Sequence, residues 1–455
     1  MLWAAGVPIP RPAGGAALAA LALFVSAARG QELPPSPTLP ARLDLDGALQ
    51  LLRGQGLDVL AAEAAIQAAE GELRVAGAIA NPTLSGTYGR SYPRGRCVND
   101  AGSPVSCEPL SDPALGIGLS DNAALFDALT GKRGLRQDVA KAALAAARLQ
   151  RDDALRTLET QVKQAFEQVL LTRDTLAFDE EVAAAQARTA ALSRARFENG
   201  AISEADVARI DTARLEADQA VDGARADLRN ARVALAFLLG VRGPVPEYDV
   251  VPGPLTSSAV PERLASETRE SLLARALESR PDVLAAQRQK DRADAALSLA
   301  LRQRIPDVTV SASYFQQGTT NTAVSPPTFA LGLSLPLPLF SQQQGEVRRA
   351  EADQRTQGIA LARAQASVVS DLESAWAGYG AARAHLERME GGLLERSKTA
   401  RDLVTIQYQK GAASLLDLLD AQRTFIATRI EYLQDLAAYW NAVFKLEQAA
   451  GVTLR

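Results

Sequence analysis

The chain is written twice, and no local feature restricts its architecture as much. Asp58-Val59-Leu60-Ala61-Ala62 recurs as Asp282-Val283-Leu284-Ala285-Ala286, an offset of 224 that also carries Pro82 onto Pro306. The offset then shrinks. Leu115-Gly116-Ile117 answers Leu331-Gly332-Leu333 at 216, Leu125-Phe126 answers Leu339-Phe340 at 214, and Gly200-x-x-Ser203-x-x-Asp206 answers Gly411-x-x-Ser414-x-x-Asp417 at 211. Most of the lost length falls in a Pro/Gly/Ser-rich stretch around Cys97 and Cys107. A chain of 455 residues would otherwise suggest three domains at about 150 residues each. A long-period duplication overrides that prior, because each copy is a unit that packs against its sibling. The expected organisation is a first repeat over 43–241, a Pro- and Gly-rich linker over 242–262 and a second repeat over 263–455.

Inside each copy the hydrophobic period changes in the same order: helix, two strands, long helix, helix. The first copy reads as helix over 45–79, strands near 83–90 and 114–121, a long helix over 130–198 and a helix over 204–239. In the second copy the strands fall near 306–315 and 328–337. All four strands share one design. Leu115, Ile117 and Leu119 alternate with Gly116, Gly118 and Ser120, and Phe329, Leu331, Leu333 and Leu335 alternate with Ala330, Gly332 and Ser334. One face is apolar and the other small or hydroxylated, which suits a barrel with lipid outside and water inside. A soluble sheet covered on one face by helices satisfies the same alternation. Four strands cannot close a barrel, for which about eight is the minimum, so a membrane reading demands an oligomer.

The span 130–198 holds 69 residues without proline, about 100 Å of helix. Leu155, Val162, Val169, Leu176, Ala183, Ala190 and Phe197 recur every seven residues along it, as do Leu361, Val368, Ala375, Ala382 and Met389 in the second copy. Sustained heptads predict supercoiled packing against long neighbours. In the first copy the two flanking helices, 45–79 and 204–239, stacked end to end would match the long one. A solid soluble coiled-coil bundle explains the heptads but gives the strand pairs no purpose.

Composition narrows the function. Lys+Arg is 49 against Asp+Glu 53, a formal charge of -4 that offers no basic excess for nucleic acid. His385 is the one histidine, and Met389 the one methionine after Met1, so a His-built metal site or triad lacks raw material. There is no Gly-rich phosphate loop, Gly-x-Ser-x-Gly elbow or His/Cys cluster, so no catalytic, cofactor or metal residues are assigned. The apolar run from Ala16 to Ala28, ending Ser26-Ala27-Ala28, reads as a signal peptide over 1–28, followed by a Pro-rich segment over 29–42. In an exported chain the two cysteines, Cys97 and Cys107, are a candidate disulfide.

Several stretches resemble the TolC-like outer-membrane efflux factors of tripartite pumps. They are Asn81-Pro82-Thr83-Leu84 and Ile305-Pro306-Asp307-Val308 entering strands, and Phe197-Glu198-Asn199-Gly200 and Tyr408-Gln409-Lys410-Gly411 at helical turns. The strongest is Gly411-Ala412-Ala413-Ser414-Leu415-Leu416-Asp417-Leu418-Leu419-Asp420-Ala421-Gln422. Leu335-Pro336-Leu337-Pro338-Leu339-Phe340 followed by Gln344-Gly345 looks most like the branch serving heavy-metal cation pumps. The resemblance implies a mainly α fold with a membrane β-barrel sector: a homotrimer with one shared twelve-stranded barrel in outer-membrane lipid and a long periplasmic α-barrel. The linker and terminal segments would belt the middle. It implies two partners, a periplasmic adaptor (membrane fusion protein) and an inner-membrane transporter, and no cofactor.

The resemblance also places Asp417 and Asp420 in an acidic ring at the periplasmic aperture, next to the tip turns at Gly200, Ser203, Gly411 and Ser414. Tyr408 and Asp206 match residues that latch the tip shut. An arginine usual beside them is replaced by Ala413, and Arg209 stands where the first copy would repeat Asp420. The function implied is a passive exit duct for metal cations or small toxic organic compounds, not an enzyme. The alternatives are a soluble periplasmic coiled-coil adaptor or scaffold, and the outer-membrane channel of type I protein secretion.

Overall fold

The computed structural model describes residues 33–89, 97–98, 101–105, 113–316 and 326–454. The expected signal peptide and the candidate disulfide lie outside the described residues, since of the two cysteines only the Cys97 backbone is described. From Pro37 onward the chain is one compact unit. It begins with β1 (Arg42–Leu43), α1 (Leu45–Gln55), α2 (Leu57–Gly77) and β2 (Thr83–Gly89). A minor hairpin of β3 (Cys97–Val98) and β4 (Pro104–Val105) precedes β5 (Ala114–Ser120), the short α3 (Ala124–Leu129), the 67-residue α4 (Lys132–Glu198) and α5 (Glu204–Leu238). The linker carries β6 (Asp249–Val250) and α6 (Glu262–Ala265). The second copy follows with α7 (Arg269–Ser279), α8 (Pro281–Arg302), β7 (Thr309–Gln316), β8 (Thr328–Ser334), α9 (Gln344–Arg388), α10 (Leu394–Gln409) and α11 (Leu415–Ala450).

Helices expected to be continuous are broken at three places. The first, expected over 45–79, stops at Gly56, which is extended at φ -60°, ψ 126° and leaves α1 and α2 as separate rods. Arg280, its equivalent at the 224 offset, repeats the break between α7 and α8, with Pro281 opening the new helix. Proline is favoured there because its missing N–H would be unsatisfied at a helix start in any case. The break in the first copy also makes room. Gly240, at φ 87°, passes so close to the end of α1 that a Cβ would lie 2.2 Å from the Gln55 carbonyl oxygen. The third break divides the long helix of the second copy. A π-helical turn, Met389–Leu393, separates α9 from α10, with Gly392 at φ 142°. α4 has no such interruption.

The four main strands form one antiparallel sheet in the order β2-β5-β7-β8, so the seam between β5 and β7 joins the two copies. β7 starts at Thr309 rather than 306, and β8 ends at Ser334 rather than 337. Pro306, Pro336 and Pro338 cannot donate to the ladder, which accounts for both trims. Register aligns Leu84 with Leu119, Tyr88 with Leu115, Ile117 with Tyr314, and Ala312 with Leu331. Every large apolar strand residue except Phe315 therefore falls on one face, and among the described residues nothing covers that face: Leu331 is 88% exposed. The other face carries Thr87, Ser85, Gly116, Gly118, Ser311 and Ser313, with the Phe315 ring lying over Gly116. Among the described residues β2 and β8 each leave an outer edge unpaired.

The sheet is tied to the helices by polar contacts that cross between copies. The buried Lys132 ammonium at the start of α4 donates to the Ile305 carbonyl at 2.6 Å and to Asp307 at 2.7 Å. Asp121, after β5, accepts from the Val310 amide at 2.8 Å and donates its own amide to the Val310 carbonyl at 3.0 Å.

The main apolar core sits at the middle of the helical rods rather than at either end. Phe166, Val162 and Val169 of α4 meet Tyr439, Trp440 and Phe444 of α11, and Leu45, Leu49 and Leu52 of α1 join them. The linker and the terminal segments pack beside this core. β1 pairs in parallel with β6 of the linker. The Trp440 indole donates to the Ser257 carbonyl at 3.1 Å, and the Leu454 amide donates to Glu447 at 2.8 Å. The other Glu447 oxygen takes the buried Lys163 ammonium at 2.7 Å. Below this core the heptad pattern holds as far as Met389 and then fades, with Phe197 exposed near the tip of α4.

Candidate functional site at the helical tip

The two tip turns are built alike because their sequences are. Asn199 closes α4, Gly200 follows at φ 73°, and the Ala201 and Gly200 amides donate back to the carbonyls of Arg196 (2.9 Å) and Phe197 (2.8 Å). In the second copy Gly411 stands at φ 79°, and the Ala412 and Gly411 amides reach Gln407 (2.8 Å) and Tyr408 (3.1 Å). This paired pattern after a left-handed residue satisfies the last carbonyls of a helix, and glycine adopts it without a Cβ penalty. Each following helix then opens with a capping box. Ser414 caps the Asp417 amide at 3.2 Å, while the Asp417 carboxylate accepts from the Ser414 amide at 3.0 Å and hydroxyl at 2.7 Å. Ser203 and Asp206 repeat it, with hydroxyl to carboxylate at 2.8 Å.

The four acidic and aromatic candidates are therefore placed differently from one another. Asp417 and Asp420 are both exposed, one helical turn apart on α11. The bonds from Ser414 hold the Asp417 carboxyl below the usual carboxylate range, so it stays charged. Asp206 is held by its own helix: beyond the box, its second oxygen faces Arg209 at 3.4 Å. Tyr408 is buried in a small cluster of Ala190, Ile210, Leu415 and Leu418 that brings the two hairpins together. Its hydroxyl has no hydrogen-bond partner among the described residues, and no bond to Asp206 forms within the chain.

One residue that sequence reasoning passed over is Arg196. Its guanidinium lies over the Tyr408 ring, 5.2 Å from the centroid, and donates to the Gln409 carbonyl at 3.1 Å, bridging the two turns. Its position before Phe197-Glu198-Asn199-Gly200 could have flagged it. Its partner, 212 residues on, gave no local signal. Among the described residues no group of three or more His, Cys, Asp or Glu could hold a metal ion, and no helix is long and apolar enough to cross a membrane. The arrangement offers exposed carboxylates at the end of long rods.

A model of the outer membrane efflux protein family matches residues 48–241 and 272–452. The chain belongs to that family. It is an outer-membrane efflux channel of α-barrel and β-barrel construction. Among curated relatives it is 28% identical over 413 residues to the cobalt-zinc-cadmium resistance protein CzcC of Cupriavidus metallidurans, covering 90% of each chain. It is 26% identical over 418 residues to the pyoverdine export outer membrane protein OpmQ of Pseudomonas putida, covering 90% of this chain and 86% of that one. Among solved structures the fold matches CusC with a TM-score of 0.71 at 18% identity, over 93% of this chain and 98% of that one. It also matches VceC from Vibrio cholerae, TM-score 0.70 at 20% identity, over 90% and 97%.

Proposed function

We propose that three copies of the chain close one twelve-stranded barrel and form the passive exit duct of a tripartite pump for metal cations. An inner-membrane transporter would supply the energy, and a periplasmic adaptor would hold the duct to it. The observation that carries this reading is the sheet itself: among the described residues it has four strands, too few to close, with an unpaired edge on each side and an uncovered apolar face. A soluble adaptor would need to cover that face. The similarity to a cobalt-zinc-cadmium resistance protein supports the metal cargo. No step of catalysis is called for, and with one histidine, two methionines and two cysteines soft-ligand selection has little to work with, so any preference for cations would come from charge.

In such a trimer Asp417 and Asp420 supply six carboxylates at the mouth, a ring that raises local cation concentration without binding any one ion tightly. Tyr408 and Asp206 would act between neighbouring hairpins, where the unpartnered hydroxyl finds an acceptor on assembly. The test is the mass of protein extracted from separated outer membranes, followed by its conductance in a planar bilayer. Trimers with small, cation-selective conductance are expected. Selectivity should fall in the double variant Asp417→Ala/Asp420→Ala. Tyr408→Phe should raise conductance if the hydroxyl latches the tip. Soluble monomers without conductance would sink the duct.

A further inference from the structure

A cavity lies between α4, α5 and α11 in the tip half of the chain, away from the aperture residues. Its volume is about 420 Å³, within the range of small-molecule sites. Its floor is one face of α4, where Asp179 and Gln186 sit seven residues apart. Both are more than nine-tenths buried. Neither is fully used. The Asp179 carboxylate has no hydrogen bond or ion pair among the described residues, and the Gln186 side-chain oxygen is buried without a partner, although its amide donates to Gln422 at 3.1 Å. Burial pushes the Asp179 carboxyl above its ordinary range, as expected for a carboxylate with no counter-ion.

The rest of the cavity has a consistent chemistry. Val182, Leu419 and Ile426 make an apolar wall, and Ala213, Ala217 and Ala220 on α5 keep the opposite wall shallow. Glu216 of α5 and Arg423 of α11 face each other at 3.9 Å, an exposed pair between the two helices that flank the cavity. Two unpaired acceptors at the base of an apolar slot call for a ligand that brings donors and a positive charge together with an apolar body. With Glu216 facing Arg423, the Asp179 carboxylate and the amides of Gln186 and Gln422 leave too few hard oxygens for a bare divalent ion, which takes about six or more.

The geometry points to a binding site for a small organic cation, an ammonium or guanidinium group on an apolar body, with its charged head on Asp179 and Gln186. Such a site is separate from the carboxylates at the mouth and does not depend on the trimer's cargo.

Dansylcadaverine, a primary ammonium on an aromatic body, is a suitable probe. Its fluorescence would be titrated against the full-length protein in lipid nanodiscs. Saturable binding is expected, weakened about tenfold or more in Asp179→Asn, because a hydrogen bond to a charged group is worth about 1.5–3 kcal/mol. Gln186→Leu should weaken it by a smaller factor. Asp417→Asn should leave it unchanged, and a neutral dansyl amide of similar size should bind as poorly to the wild type as the cation does to Asp179→Asn. Equal affinity of wild type and Asp179→Asn, with the variant's oligomer mass unaltered, overturns the proposal. So does equal binding of the neutral probe. A loss in Asp417→Asn that matches the loss in Asp179→Asn would place the cation at the mouth instead.

Discussion

Glu167 is a carboxylic acid with almost no access to water, 3% exposed, and one of its oxygens has no partner. Burial first, and then the nearby Asp174 charge, push its pKa up to about 8 from 4.5, with Arg173 opposing. Because the folded value lies above the unfolded one, the fold holds a proton that the unfolded chain gives up between those values. Stability is then highest at and below about pH 4.5 and declines as pH rises toward 8, where the group finally ionises in the fold. Glu167→Gln should remove the slope and raise the thermal midpoint at pH 8 by an amount equivalent to a few kcal/mol per chain. Parallel wild-type and variant profiles between pH 5 and 8.5 would refute it. Nothing in the sequence announces this residue, since Phe166 and Val169 beside it read as an ordinary helix face. The capping boxes were legible for the opposite reason. Gly200-x-x-Ser203-x-x-Asp206 and its second copy hold every group that the turn needs within seven residues. That locality also accounts for Asp206 and Asp417 on structural grounds alone, so their presence by itself says nothing about conduction.

At the level of elements, periodicity gave the helices and strands but not their interruptions. The break between α1 and α2 depends on Gly56, which a helical pattern tolerates, and on the approach of Gly240 from the far end of the copy. The break between α9 and α10 depends on Gly391-Gly392, and here the two glycines should respond in opposite directions. Gly391 has open space where a Cβ would go, so Gly391→Ala should stabilise by up to about 1 kcal/mol. Gly392 holds φ 142°, where an L side chain is strained, so Gly392→Ala should cost at least that much. Hydrogen exchange of the Leu394–Gln409 amides would slow in the first variant and quicken in the second. Equal and same-signed effects would mean the kink is not set by these residues. On the sheet, Leu331→Lys should cost about 2–4 kcal/mol in a bilayer, because the side chain lies on the lipid face. Ser313→Lys, on the opposite face, should be tolerated. Similar yields of folded protein from both would argue against the assignment of faces.

Across the whole molecule, the duplication was legible because it preserves order and spacing, whereas the way the copies interlock was not. The seam β5–β7 pairs Leu119 with Ala312, residues separated by 193 positions. Lys132 reaches Asp307 across 175 positions, and Lys163 reaches Glu447 across 284. Each contact joins one half of the sequence to the other, and no window of periodicity can see it. This has a bearing on when the protein can become a membrane protein at all. A chain emerging from its amino end has only the β2–β5 hairpin once the first copy is out, and a lone pair of strands is marginal in water and leaves two edges bare. The sector cannot be assembled until the last strand of the second copy has arrived. Closing so long a loop comes late, because chain entropy must be overcome before distant contacts repay it. Exporting residues up to Val241 alone should leave material that stays out of the membrane and is degraded. Joint export of both halves as separate chains should restore insertion. Insertion would then have to wait until Ser334 has crossed, with α4 and α5 already out and α9 to α11 still to come.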